Sequence, residues 1–264
     1  MSIITISRGS FSKGKEVAEK IAEKLNYECI SRDILIEASE HFNIPEIKLV
    51  RALHDSPSVF GRFTHGKERY IAYFREALLE HVEKDNVVYH GLAGHFFLQG
   101  IPHVLKVRIT ADLEERIKNE AERENISHDA ARHILAKDDE ERRKWALALY
   151  GIDPWDSRIY DMTIHIGCIA VDDAVDLIIQ AVQIPCFQST AESQQVLQDF
   201  LIYARVKIIL PSENVNIKGG VVNVSVEAPL IQEARIAEEI TKKLDSVEGI
   251  KEIRVNVRPS FDTE

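Results

Sequence analysis

The clearest chemistry in the chain lies in one short run, Gly9-Ser10-Phe11-Ser12-Lys13-Gly14-Lys15, which fits the spacing G-x-x-x-x-G-K. Consecutive backbone N–H groups in such a loop wrap an anion. Glycines admit the close approach, and a helix starting just after the loop adds partial positive charge. Lys15 then supplies a point charge for the outer phosphates of a nucleotide. The next position departs from the pattern, with Glu16 where a Ser or Thr would hold Mg²⁺. A carboxylate can ligate that hard cation. Glu16 is therefore the candidate metal residue, and ATP with Mg²⁺ the cofactor expectation. Gly9, Ser10, Ser12, Lys13, Gly14, Lys15 and Glu16 form the candidate nucleotide-binding set.

A second set is basic. Arg132, Lys137, Arg142 and Arg143 share one helical segment, and Arg132 and Arg143 stand eleven residues apart, about three turns and so on similar faces. Transfer of a phosphoryl group needs positive charge on its equatorial oxygens. An arginine-bearing helix that closes over the phosphates would supply it. Lys15, Arg142 and Arg132 are the catalytic candidates. Asp139 stands three residues before Arg142, where it either orients that arginine or pairs on the surface. Asp33 follows the second expected strand, at the carboxyl end of the sheet where ligands bind in open α/β folds. Asp33, Lys137, Asp139 and Arg143 complete the acceptor and lid candidates.

These groups need a scaffold, and the hydrophobic pattern supplies one. Ile3, Ile4 and Ile6 make a short strand, and Val17, Ala18, Ile21, Ala22 and Leu25 form one helical stripe beyond the loop. Further strands are expected at Cys29–Ile30, Val87–Tyr89, Val104–Ile109 and Met162–Ile166. Helices are expected at Arg32–Phe42, Pro45–His54, Lys67–Lys84, Leu113–Arg123, from the N-cap Ser127 to Tyr150, and at Asp172–Val182, with Asp55–Gly66 a loop. Strands alternating with helices predict an α/β fold, a parallel sheet covered on both faces. The rhythm changes after Gln183. Residues 183–199 read as a linker dividing a domain at 1–182 from a smaller α+β module at 200–264. In that module strands are expected at Ala204–Leu210, Val215–Ile217, Val221–Val226 and Ile250–Val257, a turn at Gly219-Gly220, and a helix at Leu230–Leu244.

The whole-chain composition excludes several classes. With 264 residues, 45% of them hydrophobic, the chain is neither disordered nor low in complexity. A net charge of -10 argues against nucleic-acid and anionic-membrane partners. No apolar run reaches the roughly 18 residues of a membrane span. The N-terminus does not read as a signal peptide, and Cys29, Cys168 and Cys186 suit a reducing compartment. A cytoplasmic location is the expectation.

The order of motifs also resembles a known family. Ile4-Thr5-Ile6-Ser7-Arg8 followed by Gly14-Lys15-Glu16-Val17, then Asp139-Glu140-Glu141-Arg142 and Tyr160-Asp161-Met162-Thr163-Ile164, is similar to the cytidylate-kinase-like proteins over residues 1–182. The resemblance implies a P-loop nucleoside monophosphate kinase fold, with Lys15 in place of the family's arginine and Glu16 an ordinary residue for the family. It implies phosphoryl transfer from ATP to a nucleoside monophosphate, CMP or dCMP. One stretch departs. Where cytidylate kinases carry an Asp-Gly-Arg-Asp-like segment after the third strand, this chain reads Val88-Tyr89-His90-Gly91-Leu92-Ala93-Gly94-His95, without carboxylate or arginine. His90 and His95 either substitute there as donors or are structural histidines. That loss favours a rival expectation, a non-catalytic nucleotide sensor reporting through its C-terminal module. Residues 200–258 resemble a BON domain, which implies a homo-oligomer contact or a protein or lipid partner.

Overall fold

The computed structural model describes residues 1–10, 12–31, 34, 38, 40–42, 66–91, 93–229 and 232–259. Five strands form one parallel sheet: β1 (Ile3–Arg8), β2 (Glu28–Ile30), β3 (Val87–His90), β4 (Val104–Ala111) and β5 (Met162–Ile166), in the order β2-β3-β1-β4-β5. The α/β expectation holds, and each of the five strands falls within two residues of its expected place. The expected helices at Arg32–Phe42 and Pro45–His54, and the Asp55–Gly66 loop, lie outside the described residues apart from a few positions.

Strand periodicity sorts the core into two layers. Ile3, Val87, Tyr89 and Val104 point to one face and pack with α2 (Gly66–Val82), α3 (Gly94–Phe97) and Trp145 of α5 (His128–Tyr150). Ile4, Ile6, Val88, Leu105, Val107 and Ile109 point to the other and meet α1 (Gly14–Leu25) and α6 (Val171–Val182). Because both faces are covered there, β1 and β3 are near-continuous buried runs, whereas β4 and β5 alternate toward the edge. Helix α4 (Leu113–Glu124) packs beside α5 in a small satellite core around Ile117 and Leu135. Ser127 caps α5 as expected, accepting from Ala130 N at 3.2 Å.

The stretch after Gln183 is corrected by the structure. Residues Ala191–Ile209 form one nineteen-residue helix, α7, where the sequence suggested the end of a linker and then a strand at Ala204–Leu210. Thr190 and Ser193 close a capping box at its start. The helix is apolar on two sides because it serves two cores. Leu197, Leu201 and Ala204 join the core under the parallel sheet, while Ile202, Val206 and Leu210 join that of the C-terminal sheet. Burial on both sides erases the single stripe and leaves Ala204, Val206 and Leu210 in an alternation that imitates a strand.

The C-terminal sheet has the order β6-β7-β8, with β6 (Asn214–Lys218) antiparallel and β8 (Glu252–Arg258) parallel to β7 (Val221–Glu227). Helix α8 (Glu233–Leu244) covers it through Ile240 and Leu244. Gly219 and Gly220 turn the hairpin with φ of 62° and 81°, values that favour glycine. Their amides donate to the Asp199 carboxylate at 2.6 and 2.8 Å, tying the turn to α7. Among the described residues no helix is long and apolar enough to cross a membrane.

Candidate functional site

A cavity of about 650 Å³ opens at the carboxyl ends of β1, β3 and β4. The phosphate loop forms one wall. Lys13 takes a left-handed backbone (φ 61°) and starts α1. Ser12 is buried, and its hydroxyl donates to the carbonyl of Gly9 (3.0 Å) or Ile109 (3.1 Å), so it braces the loop against β4. Gly14 is demanded by packing rather than by φ: a Cβ there would fall 2.7 Å from the Arg8 Cβ.

The lid segment of α5 lies across from the loop. Arg116, from the first turn of α4, joins the two: its Nε donates to Ser10 O at 2.7 Å, and a terminal nitrogen reaches both Asp139 oxygens at 2.9 and 3.1 Å. The Ser10 hydroxyl donates to Asp138 at 3.4 Å. Asp139 is therefore engaged by Arg116. Arg142 lines the cavity with one terminal nitrogen buried and unpartnered. Burial lowers its pKa, the charges of Asp138 and Asp139 oppose that, and Arg116 adds to it. Arg8 is similar, lowered first by burial and then by Arg142, with its Nε buried and unpartnered. A protein that buries cationic nitrogens without acceptors has placed them for an anion it does not itself contain.

Gly9, Ser12, Lys15, Asp139 and Arg142 all line this cavity. Lys15 remains solvent-accessible, 3.5 Å from Glu19. The other candidates face elsewhere. Lys13 pairs with Glu115, and Arg132 pairs with Glu114 at 2.7 Å on the surface. Lys137 is exposed. Arg143 pairs with Asp153 and lies over the Trp155 ring, 5.0 Å from its centroid; it touches the cavity only through that tryptophan, which lines it. Asp33 lies outside the described residues. The Glu16 carboxylate pairs with Lys20 at 3.4 Å outside the cavity, and no cluster of three metal-binding side chains occurs among the described residues.

Sequence reasoning missed Arg108 and Arg116. Arg108 stands in the interior strand β4, where it follows Lys106 at the strand spacing of two and alternates with the buried Val107 and Ile109. Its guanidinium donates to Pro154 O and lies 5.6 Å from the Tyr160 ring centroid. Tyr160 closes the same wall, its hydroxyl bonded to Ser7 and Pro154. At the end of β3, Gly91 and Gly94 make room for the buried Tyr89 ring, which a Cβ at Gly94 would meet at 2.3 Å. Burial raises the Tyr89 hydroxyl, so it stays protonated.

A five-stranded parallel sheet in this order, with a glycine loop between β1 and α1 and arginines converging from α4 and α5, defines a P-loop kinase-like fold. The comparisons narrow the class. Residues 3–167 match the model of the Cytidylate kinase-like family, and the chain belongs to that family. A cytidylate kinase of Sulfolobus acidocaldarius is 26% identical over 177 residues, covering 67% of this chain and 91% of that protein. One from Staphylothermus marinus is 29% identical over 182 residues, covering 67% and 94%. Among solved structures, an uncharacterized protein from Eubacterium ventriosum is similar with a TM-score of 0.54 and 25% identity, over 70% of this chain and 99% of its own.

Proposed function

We propose that this protein is a nucleoside monophosphate kinase that transfers the γ-phosphoryl group of ATP to a pyrimidine nucleotide such as CMP or dCMP. The observation that carries the reading is the convergence of the Gly9–Lys15 loop with Arg8, Arg116 and Arg142 on one cavity, two of these arginines holding buried unpartnered nitrogens. Donor phosphates would lie along the loop amides. Lys15 would neutralise the outer phosphates, and Arg142 would meet the charge on the transferred group. Arg116, already bound to both loop and lid, would hold the two at a fixed spacing. Mg²⁺ would arrive on the triphosphate as part of the substrate.

The relatives named cytidylate kinase support this reading, as does the length over which they match. The C-terminal module shares with BON domains its order of hairpin, helix and strand, and that likeness supports a contact role for it. Exposed thiols at Cys168 and Cys186 support a reducing, cytoplasmic setting.

The test is to incubate purified protein with ATP, Mg²⁺ and each ribonucleoside monophosphate, following ADP and the nucleoside diphosphate by ³¹P NMR. The two products should appear in equal amounts with CMP. Lys15→Ala should weaken ATP about tenfold by calorimetry, the scale of one charge-assisted contact, and leave the fold intact. ATP consumption with no monophosphate, or unchanged ATP affinity in the folded variant, would refute the reading.

A further inference from the structure

The cavity contains a group that the donor chemistry leaves unused. His95 is buried in α3 and lines the cavity, yet neither Nδ1 nor Nε2 has a hydrogen-bond partner. Its ring leans on Phe96 (centroids 4.0 Å) and Tyr160 (5.0 Å). Burial, with help from the Arg108 charge, pushes its pKa down to about 3, so it is neutral at physiological pH. A neutral imidazole carries one donor and one acceptor. A histidine that merely fills a core finds a partner for at least one of them, because leaving both bare is costly. Here both are bare inside a cavity wall, which is the arrangement expected when a ligand supplies the partner.

Arg8 and Arg108 offer cations to that cavity, and Arg108 stands beside the aromatic recess of Phe96 and Tyr160 in which His95 sits. A dianion in the recess would lose most of its hydration, but an uncharged polar edge would lose little. An acceptor that fits both is a flat heteroaromatic ring carrying a phosphate.

Resting on the kinase reading above, we propose that His95 reads the hydrogen-bonding edge of the acceptor's pyrimidine, that Arg108 takes the acceptor phosphate, and that the site accepts amino- and keto-pyrimidine monophosphates alike. The last point follows from chemistry. A carboxylate in this place could only accept, and would select the amine of cytosine. An imidazole turns its lone pair to an amine or its N–H to a carbonyl by exchanging tautomers.

The experiment uses the full chain with ATP as donor and CMP and UMP as acceptors. Wild-type kcat/KM for the two should agree within about tenfold, against the ten-thousandfold that a site fixed for one polar edge achieves. His95→Phe should raise the KM for both acceptors roughly ten- to hundredfold, the scale of a buried polar group left unpaired, with the ATP KM unchanged as the check on folding. His95→Asn, which keeps an uncharged donor and acceptor, should recover most of that loss. Arg108→Gln should weaken both acceptors equally. The His95 ring nitrogens should shift in ¹⁵N spectra when CMP is added. A preference for CMP over UMP beyond about a hundredfold, or acceptor KM values unmoved in His95→Phe, would overturn the proposal. So would an ATP KM that moves as far as the acceptor's. Wild-type protein that binds ATP but neither CMP nor UMP would overturn it while leaving the triphosphate site in place. Protein that binds no ATP would overturn both.

Discussion

The two ends of the parallel sheet bury polar groups in opposite ways. At the amino end, Asp85 Oδ1 lies 3.2 Å from His103 Nε2, and Oδ2 accepts from the Gln194 amide at 2.8 Å. Nearby, Ser2 and Tyr27 share a hydrogen bond, and Ser189 N donates to Met1 O. Burial pushes the Asp85 carboxyl up, but bonds from His103, Ser189 and Gln194 outweigh it and hold the group below its ordinary value. At the carboxyl end, Arg8, Arg142 and His95 bury nitrogens that nothing accepts from or donates to. Both ends carry a cost in desolvation. The amino end recovers part of it within the protein, through Asp85 Oδ2 and the close approach of Asp85 to His103, although His103 Nδ1 has no partner there, so polar burial there serves the fold. The carboxyl end recovers it when a ligand arrives.

The largest test of this contrast removes the partners at the amino end together. A chain ending at Val182 loses Gln194 from Asp85 and strips Leu197, Leu201 and Ala204 from the core. Each large apolar deletion costs about 2–5 kcal/mol, comparable in sum with the roughly 5–15 kcal/mol that holds a domain together. The short fragment should aggregate or melt without a cooperative transition, whereas a chain ending at Leu210 should fold and bind ATP. Urea unfolding of both fragments decides it, and a stable fragment ending at Val182 would place the boundary before α7.

Next in size is Arg142→Ala, which should lower turnover about 10²–10³-fold, the scale for removing one charged donor from a developing anion. ATP affinity should fall much less, and the thermal midpoint should hold or rise because an unpartnered buried charge is gone. Steady-state kinetics beside calorimetry measures this. Turnover unchanged would remove Arg142 from the site. The smallest is Asp85→Asn at the other end. It should cost about 2–3 kcal/mol, below the range for breaking a fully buried pair, and leave kcat unaltered below the melting temperature. A large change in kcat would show that the two ends are coupled.

Part of the carboxyl half of this contrast was legible in the sequence. The G-x-x-x-x-G-K spacing between apolar strand and amphipathic helix located the loop, and the strand runs located the sheet, because both are local patterns. Arg116 and Arg108 were not legible as site residues. Arg116 reaches the loop, and Arg108 the cavity beside Ser7, from about a hundred residues along the chain, and only the pairing of β4 with β1 brings them there. Lid candidates were over-counted for a related reason. Arg132 and Arg143 share a helix with Arg142, but their acidic partners lie on other elements, Glu114 and Asp153, which helix spacing does not reveal. Helix α7 hid because its two buried faces merge, although Thr190 and Ser193 announced its start.

Amide hydrogen exchange of the full chain, with and without ATP and Mg²⁺, tests the contrast between the two ends most directly. Binding should slow exchange at Ser7–Val17 and across Asp139–Trp155, where groups await a partner. It should leave the amides around Asp85, His103 and Ser189–Gln194 unchanged, since they lie at the opposite end of the sheet from the phosphate loop. Protection confined to the Asp85 end, or none at the phosphate loop at saturating ATP, would contradict the account.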